Sequence, residues 1–202
     1  MSENLMIIVT GAPGTGKTTL SRNLAKKFNL PVISKDEIKE LLFDNIGIKD
    51  MEWALKLGAT SFKLLYLFAE KLLLTGKPFI VEGNFDNEYS TKYFLDIKSR
   101  CNYRTLQIIC YTDEEVLYER YKIRDASGDR HPGHIRLTCG FEEYKRNMNN
   151  KIFKLDIEGC TCIEIDTTKF EAINLPYIYR EVEKTLTLLR TGGISHGKIT
   201  EY

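Results

Sequence analysis

Residues 5–19 read LMIIVTGAPGTGKTT: an apolar run of strand length breaks into a glycine-rich loop and continues as LSRNLAKKF, a helical pattern. Within it, Gly11-x-x-x-x-Gly16-Lys17-Thr18 has the composition and spacing of a phosphate-binding loop, set between strand and helix as that loop requires. Each residue type answers a separate need. Glycines let successive backbone N–H groups curl around phosphate oxygens with no Cβ in the way. The helix that follows points its positive end at the same oxygens. The stretch Gly11, Ala12, Pro13, Gly14, Thr15, Gly16, Lys17, Thr18 and Thr19 is therefore expected to cradle a nucleoside triphosphate. Lys17 would reach the β- and γ-phosphates and the Thr18 hydroxyl would ligate Mg²⁺.

Outward from this loop the chain alternates. Leu5–Val9, Pro31–Ser34, Phe79–Glu82, Thr105–Tyr111 and Thr161–Ile165 read as buried strands. Helical patterns cover Thr18–Phe28, Asp36–Phe43 and Met51–Leu74, and Thr112-Asp-Glu-Glu115 reads as a capping box opening a further helix. Such alternation predicts an α/β chain with a parallel sheet covered on both faces. The polar segment RDASGDRHPGHIRLT, residues 124–138, interrupts it and is expected to form a lid. Residues 1–190 are read as one domain, and TGGISHGKITEY, from Thr191, as a flexible tail.

The 202 residues, 43% of them hydrophobic, suffice for one full core and are few for two. Lys and Arg number 29 against 28 Asp and Glu, a net charge of +1. That balance argues against long polynucleotides, which favour a basic surface. No apolar run is long enough to cross a bilayer, and the opening MSENLMIIVTG carries no basic leader, so a cytoplasmic protein with no membrane partner is expected. The five cysteines contain no C-x-x-C pair; Cys160 and Cys162 are expected as buried, reduced thiols.

Three further segments bear on what the triphosphate is used for. Ser34-Lys-Asp36-Glu37-Ile-Lys39 follows the second strand, where residues line the ligand crevice of an open parallel sheet. Asp36 is placed to take a proton from an attacking hydroxyl, while Ser34-x-x-Glu37 reads as a capping box. The strand Phe79–Glu82 ends in a carboxylate suited to Mg²⁺, followed by Gly83 and Asn84, which leave room for an acceptor. Finally, Arg120 and Arg124 lie one helical turn apart and Arg130 follows in the lid segment. Guanidinium groups suit the charge that develops on a transferring phosphoryl group. His131 and His134 flank Pro-Gly, with no third ligand nearby to make a metal site.

GAPGTGKTT, SKDEIKE, VEGNF and ERYKIRDASGDRHPGH together resemble the small P-loop kinases, above all the group containing polynucleotide 5′-hydroxyl kinases, chloramphenicol phosphotransferase and zeta toxins. The likeness spans roughly residues 5–190. It implies a three-layer P-loop NTPase fold with a five-stranded parallel sheet ordered 2-3-1-4-5. It also implies ATP on residues 11–18, Asp36 as general base, and Arg120 and Arg124 as lid arginines. By the same likeness Lys39 stands where polynucleotide kinases carry an acceptor-binding arginine, and Asp166-Thr-Thr168 lies against adenine. Lys39, and Glu82 with Asn84, depart from the polynucleotide kinase pattern, and so does the lid SGDRHPGH.

The expected activity is transfer of the γ-phosphoryl group of ATP, with Mg²⁺, to a hydroxyl of a small molecule. Lys17, Asp36, Arg120, Arg124 and Arg130 would be catalytic, and Asp36, Lys39, Glu82 and Asn84 would meet the acceptor. Thr18 and Glu82 would serve the metal. A polynucleotide 5′-hydroxyl kinase and a non-kinase ATP-binding or hydrolysing module are the alternatives. A regulatory GTPase is disfavoured because Asn150-Lys151 continues with Ile and Phe rather than a guanine-reading element.

Overall fold

The computed structural model describes residues 4–128 and 130–191. Five strands, β1 (Asn4–Gly11), β2 (Val32–Ser34), β3 (Phe79–Glu82), β4 (Tyr103–Tyr111) and β5 (Thr161–Asp166), form one sheet in the order β2-β3-β1-β4-β5, with every pair parallel. The expected order and strands are thus observed, each end within two residues of the reading.

Seven α-helices are described: α1 (Lys17–Phe28), α2 (Lys35–Ile46), α3 (Met51–Leu73), α4 (Asn87–Arg100), α5 (Glu114–Ala126), α6 (Phe141–Asn149) and α7 (Leu175–Thr191). The periodicity reading did not place α4, α6 or α7. α7 includes Thr191, the first residue of the expected tail, and the rest of that tail lies outside the described residues.

Alternating side chains of β1 feed two cores. Met6 and Ile8 pack with Leu65, Ala69 and Leu73 of α3 and with Phe94 and Ile97 of α4. Leu5, Ile7 and Val9 pack on the opposite face with Leu20 and Leu24 of α1 and Ile178 and Val182 of α7. The strand is buried along its whole length, which is why it reads as an unbroken apolar run. Burying two such faces supplies the main drive to fold. Among the described residues no helix is long and apolar enough to cross a membrane.

Three local expectations are corrected. Cys162 is exposed and Cys160 half-buried, because β5 is an edge strand that turns only Ile163 and Ile165 fully inward. Thr112 does not cap α5. Asp113 does, accepting from the N–H groups of Glu115 and Val116 at 3.0 and 3.2 Å, while the Thr112 hydroxyl meets that of Thr167 at 2.5 Å. Ser34 occupies the N-cap position of α2 but makes no side-chain cap bond; its hydroxyl donates instead to Glu82 Oε2 at 2.8 Å.

Candidate active site

At the carboxyl edge of the sheet β2 and β3 end level with each other, Ser34 beside Glu82, while β1 runs two residues past Val9, the partner of Glu82, into the glycine-rich loop. The segments that leave these strands meet above that edge and enclose a cavity of about 410 Å³. Its lining includes Lys17 and Thr18 from the first loop, Asp36 and Lys39 from α2, and Asn84 after β3. Arg124 and Arg130 close it from the other side.

The loop has the form an anion cradle needs. Gly11, Gly14 and Gly16 take φ values of 141°, 95° and 79°, in the range that side chains disfavour. A Cβ at Gly11 would lie 2.1 Å from the Cys110 carbonyl oxygen, and one at Gly16 would lie 2.4 Å from the Phe170 ring. α1 begins with no side-chain cap and no acidic residue in its first turn, so nothing in its sequence competes for the N–H groups there. Thr15 Oγ1 and Lys17 Nζ both donate to the Ala12 carbonyl, at 2.9 and 2.8 Å, which fixes the curl of the loop. Lys17 is buried, and burial holds its ammonium below the ordinary lysine value, opposed by the negative charge of Glu82 and Asp36. Thr19 faces away and is exposed.

Asp36 sits in the first turn of α2 with its carboxylate about half-exposed. Lys35 Nζ donates to Asp36 Oδ1 at 2.9 Å. Burial pulls the Asp36 carboxyl upward, but the charge and hydrogen bond of Lys35, with His134 and Lys17 behind them, bring it down to about 2. Glu37 pairs instead with Arg22 at 3.4 Å on the exposed side. Glu82 is almost fully buried beneath the site; burial raises its pKa, and Lys17 and the Ser34 hydroxyl draw it back.

The three arginines separate. Arg124, in the last turn of α5 rather than in the irregular segment, lines the cavity, and its Nε is buried without a hydrogen-bond partner among the described residues. Arg130 also lines it, held by Asp125 and by Tyr121 Oη at 2.9 Å. The Tyr121 ring lies under both guanidinium groups, at 5.0 and 4.7 Å. Arg120 turns elsewhere: its Nη2 donates to the carbonyls of Thr167 and Thr168 at 2.9 and 3.0 Å, tying α5 to the loop after β5.

His131 and His134 fasten the segment after α5, the expected lid, to α2. His131 Nε2 lies 3.0 Å from Asp44 Oδ1 and His134 Nε2 lies 2.7 Å from Glu40 Oε1. The Gly133 N–H donates to His131 Nδ1 at 3.1 Å, which leaves the proton of a neutral His131 on Nε2, facing Asp44. Gly133 rests on the Phe43 ring so closely that a Cβ would lie 2.3 Å from it. Sequence reasoning missed Lys35 as the partner of Asp36, Tyr121 as the support of two arginines, and Glu40 and Asp44 as the lid's anchors. The acidic content of SKDEIKELLFD was the available signal for the last two.

Fold and site together define a P-loop protein of kinase-like α/β architecture. Within that class the chain belongs to the AAA_33 family, described as an AAA domain, which matches residues 6–136. Among solved structures it is 35% identical to "a putative kinase" from Chloroflexus aurantiacus J-10-fl, with a TM-score of 0.81 over 93% of this chain and 98% of that one. A sugar kinase from Janibacter sp. HTCC2649 is 15% identical with a TM-score of 0.55, over 96% of this chain and 99% of that one. A gluconokinase from Sinorhizobium meliloti 1021 is 16% identical with a TM-score of 0.51, over 96% and 98%. At these identities the last two share the fold. No curated protein matches the sequence.

Proposed function

We propose that this protein is an ATP-dependent kinase that transfers the γ-phosphoryl group to a hydroxyl of a small molecule. The observation that carries the reading is the meeting, in one cavity, of an uncapped glycine-rich helix start, the buried Lys17 and the Asp36 carboxylate. The kinase-named relatives support it, as does the likeness to small P-loop kinases.

In this reading the N–H groups of residues 11–18 and Lys17 hold the triphosphate. The acceptor oxygen forms a bond to the γ-phosphorus as the bond to the β,γ-bridging oxygen breaks, and ADP leaves with that electron pair. Asp36, ionised at any working pH, orients the hydroxyl by accepting its hydrogen bond and takes its proton as the new bond forms. Arg124 and Arg130 stabilise the charge spread over the γ-oxygens, and the docked lid excludes water. Among the described residues no three His, Cys, Asp or Glu side chains converge on a cation site. Thr18, which lines the cavity, would hold Mg²⁺ together with the phosphates, and Glu82, buried beneath the lining, would act only through the metal's water shell. When bound, Mg²⁺ would neutralise charge on the β- and γ-oxygens.

The test is transfer from γ-labelled ATP to hydroxyl compounds by the native protein and by Lys17→Ala. Loss of transfer with an unchanged circular dichroism spectrum is expected. Full activity in the variant would overturn the assignment of the loop.

A further inference from the structure

Cys160-Thr161-Cys162 stands at the amino end of β5, at the end of the sheet opposite the candidate active site. The two sulfurs lie 3.9 Å apart. In extended chain, residues two apart project on the same side, with Cα atoms about 6.6 Å apart. Disulfides span Cα separations of about 4.4–6.8 Å, so the pair falls inside the range, at its wide end. The backbone before it is a turn rather than a ladder. Gly159 has φ 69°, and the Cys160 N–H donates to the Ile157 carbonyl at 3.2 Å. β5 itself is an edge strand, paired with β4 on one side. Both features let the two residues draw together without breaking the sheet.

The two thiols are not equivalent. Cys162 is exposed and meets reagents from solvent. Cys160 is half-buried, packed against the core that contains Tyr103, Leu155 and Ile157. Burial pushes its thiol up to about 11, so it is a poor first nucleophile at neutral pH. Its place is fixed from below by Gln107 of β4, a fully buried residue whose Nε2 donates to the Cys160 sulfur at 3.4 Å. The same amide is held rigidly, because Nε2 also donates to the Leu155 carbonyl at 2.9 Å and Oε1 accepts from the Leu155 N–H at 2.8 Å. A donor aimed at a sulfur favours its thiolate as that thiolate forms.

We propose that Cys160 and Cys162 form a reversible dithiol–disulfide site whose co-reactant is a small-molecule disulfide, with Cys162 attacking first and Cys160 resolving. The Cys162 thiolate forms a bond to one sulfur of the small disulfide, and the other half leaves as a thiolate. Cys160 gives its proton to solvent and attacks the Cys162 sulfur. The protein disulfide forms, the mixed disulfide breaks, and the second small thiolate leaves. The protein has lost two electrons and two protons, and the small disulfide has been reduced to two thiols. A bridge that is exposed and close to the limit of its span is readily reduced again by excess thiol. The site lies away from the phosphate loop and does not depend on the kinase reading.

The test equilibrates the reduced full chain, without oxygen, in mixtures of reduced and oxidised glutathione. The reaction is quenched in acid, free thiols are alkylated, and the cysteines are mapped by peptide mass spectrometry. In the native protein the peptide carrying both cysteines is expected to become two hydrogens lighter and to resist alkylation. Dithiothreitol should restore both thiols. In Cys160→Ser a glutathione adduct should accumulate on Cys162 at least tenfold above its native level, since nothing resolves it. In Cys162→Ser the adduct on Cys160 should be at least tenfold scarcer than that. The native protein decides the bridge by itself, whatever the variants do to folding. A lasting adduct on native Cys162, a bridge from either cysteine to Cys101 or to a second chain, or two freely alkylated thiols in oxidised glutathione would overturn the inference. Equal adducts in the two variants would overturn the order of attack.

Discussion

Ser34 Oγ donates to Glu82 Oε2 at 2.8 Å, joining the last residues of two adjacent strands directly beneath the candidate site. The bond explains why Ser34 gives up capping α2. A buried carboxylate has few donors within reach, whereas the start of a helix facing a cleft has water. It also positions Glu82, whose pKa burial has already raised. A raised carboxyl contributes stability that is complete below its unfolded value and is lost as pH rises through the folded one.

Removing that donor tests the arrangement. Ser34→Ala should destabilise the protein by about 1–3 kcal/mol at pH 7, the cost of leaving a buried acceptor short of a partner. The bond is charge-assisted only while Glu82 is ionised, and burial moves its protonation to a higher pH than that of a free carboxyl, so the effect should grow as pH rises. Urea unfolding followed from about pH 5 to pH 9 reads this. A stability unchanged by Ser34→Ala across that range would show that the bond to Glu82 contributes nothing.

Asp36 gives a prediction with a different pH signature. Its pKa of about 2 lies below the ordinary 3.8, so its pairing contributes stability present above 3.8 and lost as pH falls towards 2. Because the carboxylate is half-exposed, that contribution is about 1 kcal/mol or less. Asp36→Asn should therefore lower the melting temperature only slightly, but lower kcat by about 10²–10⁴, the usual worth of a positioned proton acceptor. The affinity for ATP should be retained. The native kcat should show no ionisation from this group between pH 4 and 9; a kcat unchanged in Asp36→Asn would overturn its role as proton acceptor.

How much of this was legible follows from the range of each interaction. β1 and its loop were plain because a strand buried on both faces is an apolar run and a phosphate loop is written in consecutive residues. Asn87–Arg100 carries its apolar residues among Tyr, Thr and Lys, and only Ser90, Phe94 and Ile97 are fully buried, so α4 gave a weak period. Ser34 could be read as a cap because local patterns are visible, whereas its true partner is 48 residues away. Arg120 and Arg124 share a helical turn in sequence, yet one guanidinium group bonds the loop after β5 and the other lines the cavity. Helical spacing fixes where a residue starts, not what a long side chain reaches.

That separation makes the two arginines a matched pair for mutation. Arg124 offers a buried, unpartnered Nε to the cavity, so Arg124→Ala should reduce kcat by about 10³-fold or more with little change in melting temperature. Arg120→Ala removes two bonds to the carbonyls of Thr167 and Thr168, and should cost about 1–3 kcal/mol of stability with a smaller effect on kcat. Measuring the melting temperature and kcat for both variants gives a crossed pattern if the assignments hold. A kcat lost equally in both would place Arg120 in the reaction as well.

The lid can be unseated at its contacts with α2 without touching the phosphate loop. Burial holds His134 below its ordinary pKa, with Glu40 and Asp36 opposing and Lys39 assisting. The neutral imidazole is thus the docked form, and its contribution is present above pH 6.5 and lost as pH falls through the lowered value. Replacing both His131 and His134 by Ala removes the two contacts to Asp44 and Glu40. Gly133→Ala does so by another route, since its Cβ would strike the Phe43 ring. Each variant should raise ATP hydrolysis relative to transfer several-fold, because an undocked lid admits water to the γ-phosphate. Hydrogen exchange of residues 130–137 should quicken in both, and in the native protein below pH 6. Adding Phe43→Ala to Gly133→Ala relieves the collision and should restore part of the protection, whereas it cannot help the histidine variant; protection unchanged in every variant would mean that the segment is held by other contacts.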